Sequence, residues 1–353
     1  MGNLSKLRRK LQENNLDAIL ITSPVNRRYM TGFTGTAGIA VVSLYDARFI
    51  TDFRYIEQAN DQISEFKVVE HKELIHQEIK KQLKQMDVKR VGFEKEHVTF
   101  STYEQYNKTF EAELVPVSGF IEELRLIKSE NELGILKQAA RIADDAFEHI
   151  QGYIKPGVKE VDISNELEFF MRKQGATSSS FDIIVASGYR AALPHGVASD
   201  KEIKSGELVT MDYGALFNGY CSDTTRTVAV GEINDELRDI YDTVLEAQIR
   251  GVDGLKPGIT GKEADALTRD YIKERGYEGY FGHSTGHGLG MEVHEGPALS
   301  FRSDKEMEPG MVVTVEPGIY IPNVGGCRIE DDIVITEAGS ERLTCAEKAL
   351  IQL

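Results

Sequence analysis

Two stretches of this chain echo one another. IKPGVKEVDISNELEFFMRKQGA, starting at Ile154, returns about 100 residues later as LKPGITGKEADALTRDYIKERGY, starting at Leu255. Each reads as a Lys-Pro-Gly stop, an amphipathic helix and a closing Gly, and a unit that recurs with the same punctuation is expected to fold twice. The segments after the two copies strengthen the pairing. MDYGALFNGYCSDTTRT, residues 211–227, comes after the first, and MVVTVEPGIYIPNVGGCRIEDDIVIT, residues 311–336, comes after the second; both read as strand pairs. The pattern predicts a domain of two matched halves, each with helices leading into a hairpin.

Turn chemistry sets the register of the first hairpin. Asn218-Gly219 is the strongest short-range signal for a two-residue loop, because both central residues take positive φ. With that turn Phe217 faces Tyr220 and Gly214 faces Asp223, so Asp212 and Asp223 become diagonal neighbours on one face. Such neighbours sit roughly 7–8 Å apart at the backbone, close enough for two carboxylates to reach one point. A turn within Asn323 to Gly326 puts Glu316 roughly opposite Glu330 in the second hairpin. Facing hairpins would therefore gather four acids. A shared proton or a nearby Arg can relieve one pair, but four buried carboxylates lose so much hydration that divalent cations are the natural remedy.

Of the eight histidines, His71, His76, His97 and His149 fall on polar helical or loop segments and are expected at the surface. The other four lie near the acids in sequence: His195 in ALPHGVAS, His283 and His287 in GHSTGHGLG, and His294 in MEVHEGPALS. The step from His283 to His287 is not a zinc helix, since no Glu follows His283 and Gly282, Gly286, Gly288 and Gly290 oppose helix formation. One imidazole with four carboxylates is a mostly hard ligand set, suited to Mn²⁺, Co²⁺ or Zn²⁺ in an open site.

Composition narrows the partners. The 353 residues are 41% hydrophobic and 28% charged, which is ordinary for a globular protein with room for two domains. A formal charge of -16 and a pI near 5.1 argue against nucleic acid or an anionic membrane and favour small or peptide ligands. Cys221, Cys327 and Cys345 are an odd number without metal-type spacing, so buried thiols in a reducing compartment are expected. No window reaches the roughly 20 apolar residues of a membrane span, and the N-terminal residues lack a signal-like apolar stretch, so a cytoplasmic location is expected.

The first third alternates helix and strand patterns: LSKLRRKLQENN a helix, DAILIT, AGIAVVS and ARFIT strands, HKELIHQEIKKQLKQM a helix and KRVGFE a strand. Its TGFTGTAG run has the wrong glycine spacing for a dinucleotide fingerprint and leads into a strand, so it reads as a structural or substrate-facing loop. A boundary is expected near Arg125 to Lys128, where Ser129-Glu130-Asn131-Glu132 forms a capping box opening a long helix.

In order along the chain, MDYGALFNGYCSDTTRT, GHGLG, VEPGIY and RIEDDIVIT resemble the pita-bread metallopeptidases, a family that includes methionine aminopeptidase, aminopeptidase P, prolidase and creatinase. The first third, with NRRYMTGFTGTAG, is similar to the creatinase-type N-terminal domain of the proline-specific members. The resemblance implies an α+β protein. A creatinase-like α/β domain would occupy residues 1–126, and a pita-bread catalytic domain with an internal pseudo-twofold repeat residues 127–353.

Carried over by position, the resemblance implies that Asp212, Asp223, His287, Glu316 and Glu330 hold two divalent ions, most simply Mn²⁺, with Asp223 and Glu330 bridging them. His195, His283, His294 and Arg328 match substrate and outer-shell positions. The chemistry of the hydrolysis assigns Glu316 as proton shuttle, with His195 and His294 as donors to the substrate carbonyl. The implied activity is hydrolysis before proline, in Xaa-Pro dipeptides or at the N-terminus of Xaa-Pro peptides, by a homodimer. An Xaa-Pro bond lacks the N–H that most proteases use, so a dedicated site is required. A creatinase-like hydrolase and a non-catalytic peptide-binding homologue are the alternatives, and presence of all five ligand residues speaks against both.

Overall fold

The computed structural model describes residues 2–353 and divides into two compact units, the first ending at Arg125 and the second running from Leu126 to Leu353. In the first unit the elements are Asn3–Glu13 (α1), Ala18–Ile21 (β1), Pro24–Thr31 (α2), Ile39–Ser43 (β2), Ala47–Thr51 (β3), Ile56–Gln62 (α3), Lys67–Glu70 (β4), Ile75–Gln85 (α4), Arg90–Glu94 (β5), Phe100–Thr109 (α5), Glu113–Val117 (β6) and Glu122–Arg125 (α6). The strands form one six-stranded mixed sheet in the order β4-β3-β2-β1-β5-β6. Its central strands are buried on both faces, which is why DAILIT and AGIAVVS read as continuous apolar runs rather than alternating ones. Leu7, Leu11, Ile19, Ile21 and Phe49 pack one core, and Leu20, Val41, Ile79 and Leu83 the other.

Each helix and strand expected in this third is present, and α2, α3, β4, α5, β6 and α6 are additional. β4 and β6 are edge strands with little apolar alternation, so their sequence signal is weak. The glycine-rich run after α2 is held from within: the Arg27 guanidinium, buried, donates to Gly35 O at 2.9 Å and Gly38 O at 2.8 Å. His76 corrects the expectation of a surface residue. It is buried in α4, facing Gln105 of α5.

The second unit contains Glu130–Ile150 (α7), Glu160–Lys173 (α8), Ser178–Ser179 (β7), Ile184–Ser187 (β8), Glu207–Tyr213 (β9), Ala215–Phe217 (β10), Tyr220–Cys221 (β11), Thr224–Val230 (β12), Asp235–Gly254 (α9), Gly261–Glu274 (α10), Gly286–Gly288 (β13), Glu295–Leu299 (β14), Val312–Val315 (β15), Gly318–Ile321 (β16), Gly325–Arg328 (β17), Asp331–Thr336 (β18) and Gly339–Arg342 (β19). Ser129 and Glu132 form the expected capping box at α7, an arrangement whose loss typically costs about 1 kcal/mol.

The repeat is visible in the topology. In the first half α7 packs on α8 and β9 lies between β8 and β12; in the second α9 packs on α10 and β15 lies between β13 and β18. β14 and β19 extend only the second sheet. Each central hairpin then breaks partway and continues as a second ribbon, β10 with β11 and β16 with β17. Close approach forces the first break, since a Cβ at Gly214 would stand 1.8 Å from Ser222 O. Pro317 sits at the second, where its missing N–H cannot serve the ladder.

Register holds across both breaks. Phe217 pairs with Tyr220 above the first and Asp212 with Thr225 below it; Gly318 pairs with Arg328 above the second and Val315 with Asp331 below it. Asn218 and Gly219 both have positive φ, as the turn requires. Among the described residues the three cysteines are free. Cys221 and Cys327 are buried as expected, whereas Cys345 is exposed because it lies on the irregular C-terminal segment.

Candidate metal centre

The four acids flank the two ladder breaks, where side chains leave the sheet surface and turn across the gap between the halves. A cavity of about 590 Å³ opens there. Its lining includes Asp212, Asp223, His287, Glu316 and Glu330, and also His195, His283, His294 and Arg328. All nine residues singled out from the sequence meet in one place. Phe181, Ile184, Pro194, Val197, Val293 and Ala298 give the cavity an apolar wall, and Asp182 stands among them.

At the centre, one atom each from Asp223, His287 and Glu330 lie within 4.8 Å of one another. Glu316 and Asp212 are in the same cavity but outside this tightest cluster. The His287 imidazole sets the polarity. Nδ1 lies 3.1 Å from Gly288 O, and a carbonyl can only accept, so Nδ1 carries the proton and Nε2 is left as a lone pair. That lone pair faces Glu316 Oε1 at 3.3 Å and Asp223 Oδ2 at 3.6 Å. Lone pairs converging in a buried site repel unless a cation or a proton lies between them. The His287 pKa is pushed down to about 4 by burial and then by the neighbouring His294 ring, so a proton on Nε2 is not the answer near neutrality.

Carboxylate oxygens tell the same story. Asp212 Oδ1 and Glu330 Oε1 are buried without a hydrogen-bond partner, as is Oδ1 of Asp332 behind them. Unpaired buried oxygens are costly and demand an explanation. Burial raises the pKa of Asp223, with the Glu330 charge adding to it, and burial raises that of Glu330, with Glu316 adding. Glu316 is pushed up to about 8, again chiefly by burial and partly opposed by Arg328. Oxygen-rich, with one neutral imidazole, the set fits divalent cations of the Mn²⁺, Co²⁺ and Zn²⁺ type.

Supporting contacts fix the oxygens that are paired. Thr225 Oγ1 donates to Glu330 Oε2 at 2.7 Å, and Thr314 Oγ1 to Glu316 Oε1 at 3.3 Å. Arg328 uses four of its five N–H donors locally: Nη2 to Asp212 Oδ2 at 2.5 Å, Nη1 to Tyr320 Oη at 2.8 Å and Pro194 O at 3.2 Å, and Nε to Thr225 Oγ1 at 3.1 Å. Tyr320 in turn lies 2.8 Å from His283 Nε2, while His283 Nδ1 faces Ser284 O at 2.8 Å. Both His283 nitrogens are thus engaged, and burial, then Arg328, lowers its pKa to about 4. Behind the acids, Asp332 Oδ2 accepts from Asp223 N at 3.0 Å, and Asp331 binds Arg226 at 2.7 Å and Lys348 at 2.7 Å.

Sequence reasoning missed Tyr320, Thr225, Thr314 and Asp332. Period-two alternation could have pointed to three of them, since Thr314, Glu316, Gly318 and Tyr320 share one strand face and Asp223 shares another with Thr225. Asp332 sits next to an acid already busy with Arg226 and gives no such signal.

Comparison with known proteins agrees with this geometry. Residues 134–337 match the metallopeptidase family M24, and residues 3–127 match the creatinase/prolidase N-terminal domain. The chain is 42% identical to the Xaa-Pro dipeptidase of Pyrococcus furiosus, over 99% of both chains. Among solved structures, the Xaa-Pro dipeptidase from Bacillus anthracis superposes with a TM-score of 0.98 at 59% identity, over 99% of each chain. The X-Pro aminopeptidase from Thermotoga maritima superposes with a TM-score of 0.92 at 39% identity, over 98% of this chain and all of the other. The creatinase-like N-terminal domain, the repeated pita-bread catalytic domain and a cavity built for divalent metal ions have one reading: the chain belongs to metallopeptidase family M24.

Proposed function

We propose that this metallopeptidase hydrolyses the bond before proline, as a prolidase acting on Xaa-Pro dipeptides or as an aminopeptidase P acting at the N-terminus of Xaa-Pro peptides. In this reading residues 127–353 are the catalytic domain and residues 1–126 the creatinase-like N-terminal domain. Asp212, Asp223, His287, Glu316 and Glu330 hold two divalent ions, with Mn²⁺ the first choice. The observation that carries the reading is the His287 Nε2 lone pair facing the Glu316 and Asp223 carboxylates, beside Asp212 and Glu330, each of which keeps one buried oxygen unpaired. The names of the relatives and the apolar wall beside the acids support a proline-containing substrate.

When bound, the cations supply Lewis acidity, polarising the scissile carbonyl and bringing the pKa of water from 15.7 to about 7. The protein's own groups do the rest. Glu316 takes the proton of the attacking water at Oε2, its Oε1 being held by Thr314, and delivers it to the proline nitrogen, which needs a proton once the C–N bond breaks. His195 and His294 donate to the carbonyl oxygen as charge builds on it. Arg328 holds Asp212 with one oxygen turned toward the centre. The apolar wall excludes water around the ring.

The resemblance also supports a homodimer, and the free cysteines fit the cytoplasmic location expected from the sequence; no helix among the described residues is long and apolar enough to cross a membrane. Hydrolysis of Ala-Pro and of Ala-Pro-Ala, each under Mn²⁺ and after chelation, tests the activity and separates the two substrate lengths. Cleavage that ignores chelation, or no cleavage of either peptide, overturns the reading.

A further inference from the structure

Outside the carboxylate cluster, each half of the second unit buries one more acid on its second helix. Glu160, the first residue of α8, has no exposed surface. Its Oε1 accepts from Ser187 N at 2.8 Å and Ser187 Oγ at 2.9 Å; its Oε2 accepts from Arg190 Nε at 2.9 Å, Ser199 Oγ at 2.7 Å and Ser199 N at 3.2 Å. Arg190 donates onward from Nη2 to Val197 O at 2.6 Å. These bonds bracket the segment that carries Pro194, His195 and Val197 into the cavity.

Asp265 of α10, also buried, is wired alike. Oδ1 accepts from Thr285 N at 3.0 Å and Arg269 Nη2 at 2.8 Å, and Oδ2 from Arg269 Nε at 2.6 Å. Arg269 donates onward to His283 O at 2.7 Å and Phe281 O at 3.1 Å. In both halves a buried helix carboxylate holds a backbone N–H beside a strand and an arginine, and that arginine holds the main chain of a histidine-bearing segment.

Two facts make this more than fold scaffolding. First, the acids are not at matching places in the repeat: with IKPG set on LKPG, Glu160 falls on Gly261 and Asp265 on Ser164, so the shared wiring does not follow from the duplication. Second, the segments need it. The stretch from Leu193 to Ser199 has no helix or named strand; its ties to the strands are a backbone bridge from Val197 to Ile184 and the Arg328 side chain on Pro194 O. Burying a charge is costly, and these two are satisfied entirely by the backbone and side chains that hold His195 and His283 in place.

We propose that Glu160 with Arg190, and Asp265 with Arg269, are positioning pairs that set the reach of His195 and His283 into the cavity and act on bond cleavage through those histidines. Neither acid lines the cavity itself. The proposal rests on the peptidase reading, and the test separates the two.

Glu160→Gln in the Mn²⁺-loaded full chain is expected to lower kcat/KM about tenfold, the scale of a sub-ångström misplacement, with Mn²⁺ stoichiometry unchanged. In a His195→Ala background the same substitution should cost less than about twofold, because the group it positions is gone. Asp265→Asn is set against His283→Ala in the same way. Equal losses in both backgrounds, or no loss in either, overturn the proposal. Arg190→Gln replaces Glu160→Gln if the latter does not fold. Should the wild-type chain cleave neither Ala-Pro nor Ala-Pro-Ala, the peptidase reading fails on its own, and amide hydrogen exchange decides the positioning. Exchange about tenfold faster at residues 193–199 in Glu160→Gln, and at residues 281–285 in Asp265→Asn, upholds it; unchanged exchange sinks it.

Discussion

Arg328 Nη2 donates to Asp212 Oδ2 at 2.5 Å, a partly buried ion pair that ties the ribbon of one half to the hairpin of the other. Because Arg328 also serves Thr225, Tyr320 and Pro194, its planar fork cannot be replaced by a single ammonium. Arg328→Lys should fold yet turn over an Xaa-Pro peptide about 10–100-fold more slowly, as expected when the partner that aims a ligand carboxylate is lost. Steady-state kinetics under saturating Mn²⁺ check this, and a wild-type kcat would remove Arg328 from the support of the site.

Glu316 is the acid assigned both to metal binding and to proton transfer. Glu316→Gln keeps the shape and one acceptor oxygen but cannot take a proton, so the variant should fold, retain Mn²⁺ with reduced affinity and lose turnover by at least about 100-fold. Metal analysis beside an activity assay separates the two roles. Near-normal turnover would assign the proton to another group.

Without metal, the acids make stability depend on pH in a definite direction. Glu316 is held up to about 8, and Asp223 and Glu330 are raised as well, whereas an unfolded Glu titrates near about 4.3. Across that window the folded chain binds more protons than the unfolded chain, so the stability of the chelated protein falls as pH rises. Metal ions compete with those protons, so the gain in Tm on adding Mn²⁺ should be larger at about pH 8.5 than at about pH 6. A gain that shrinks with rising pH contradicts the cluster as described.

Asp331 lies next to Glu330 but faces the other way, into Arg226 and Lys348. Burial raises its pKa, yet the cations overcome this and hold it below the usual carboxylate range. Removing the carboxylate strands Arg226, whose side chain is almost wholly buried, so Asp331→Ala should destabilise the fold by about 3–5 kcal/mol. Denaturant unfolding measures it. A loss below about 1 kcal/mol would mean that water reaches Arg226.

The register of the first hairpin was readable from its turn. Asn218-Gly219 dictates its turn through positive φ, and a period of two then carries Asp212 and Asp223 onto one face. The second turn, expected within Asn323 to Gly326, closes instead over Pro322 to Val324, with Asn323 at positive φ and Gly325 already paired to Ile321, and that shift is what sets Glu316 against Glu330. The pairing of halves was also readable, because helix stops and turns are local. Edge strands such as β4 and β6 were not, since little of their surface is buried and they carry no clear alternation. His76 looked like a surface residue on a polar helix, and only the packing of α5 against α4 covers it.

By itself, then, the sequence determined which acids share a strand face, through local turn geometry and side-chain alternation that no distant contact can alter without shifting a whole strand. Tertiary structure alone decided which oxygens stay unpaired, which nitrogen of His287 faces them, and that Arg328 answers Asp212 across 116 residues of chain. Hydrogen-bond partners in a buried site are assigned by three-dimensional competition for few donors, and nothing in local order along the chain fixes the winner.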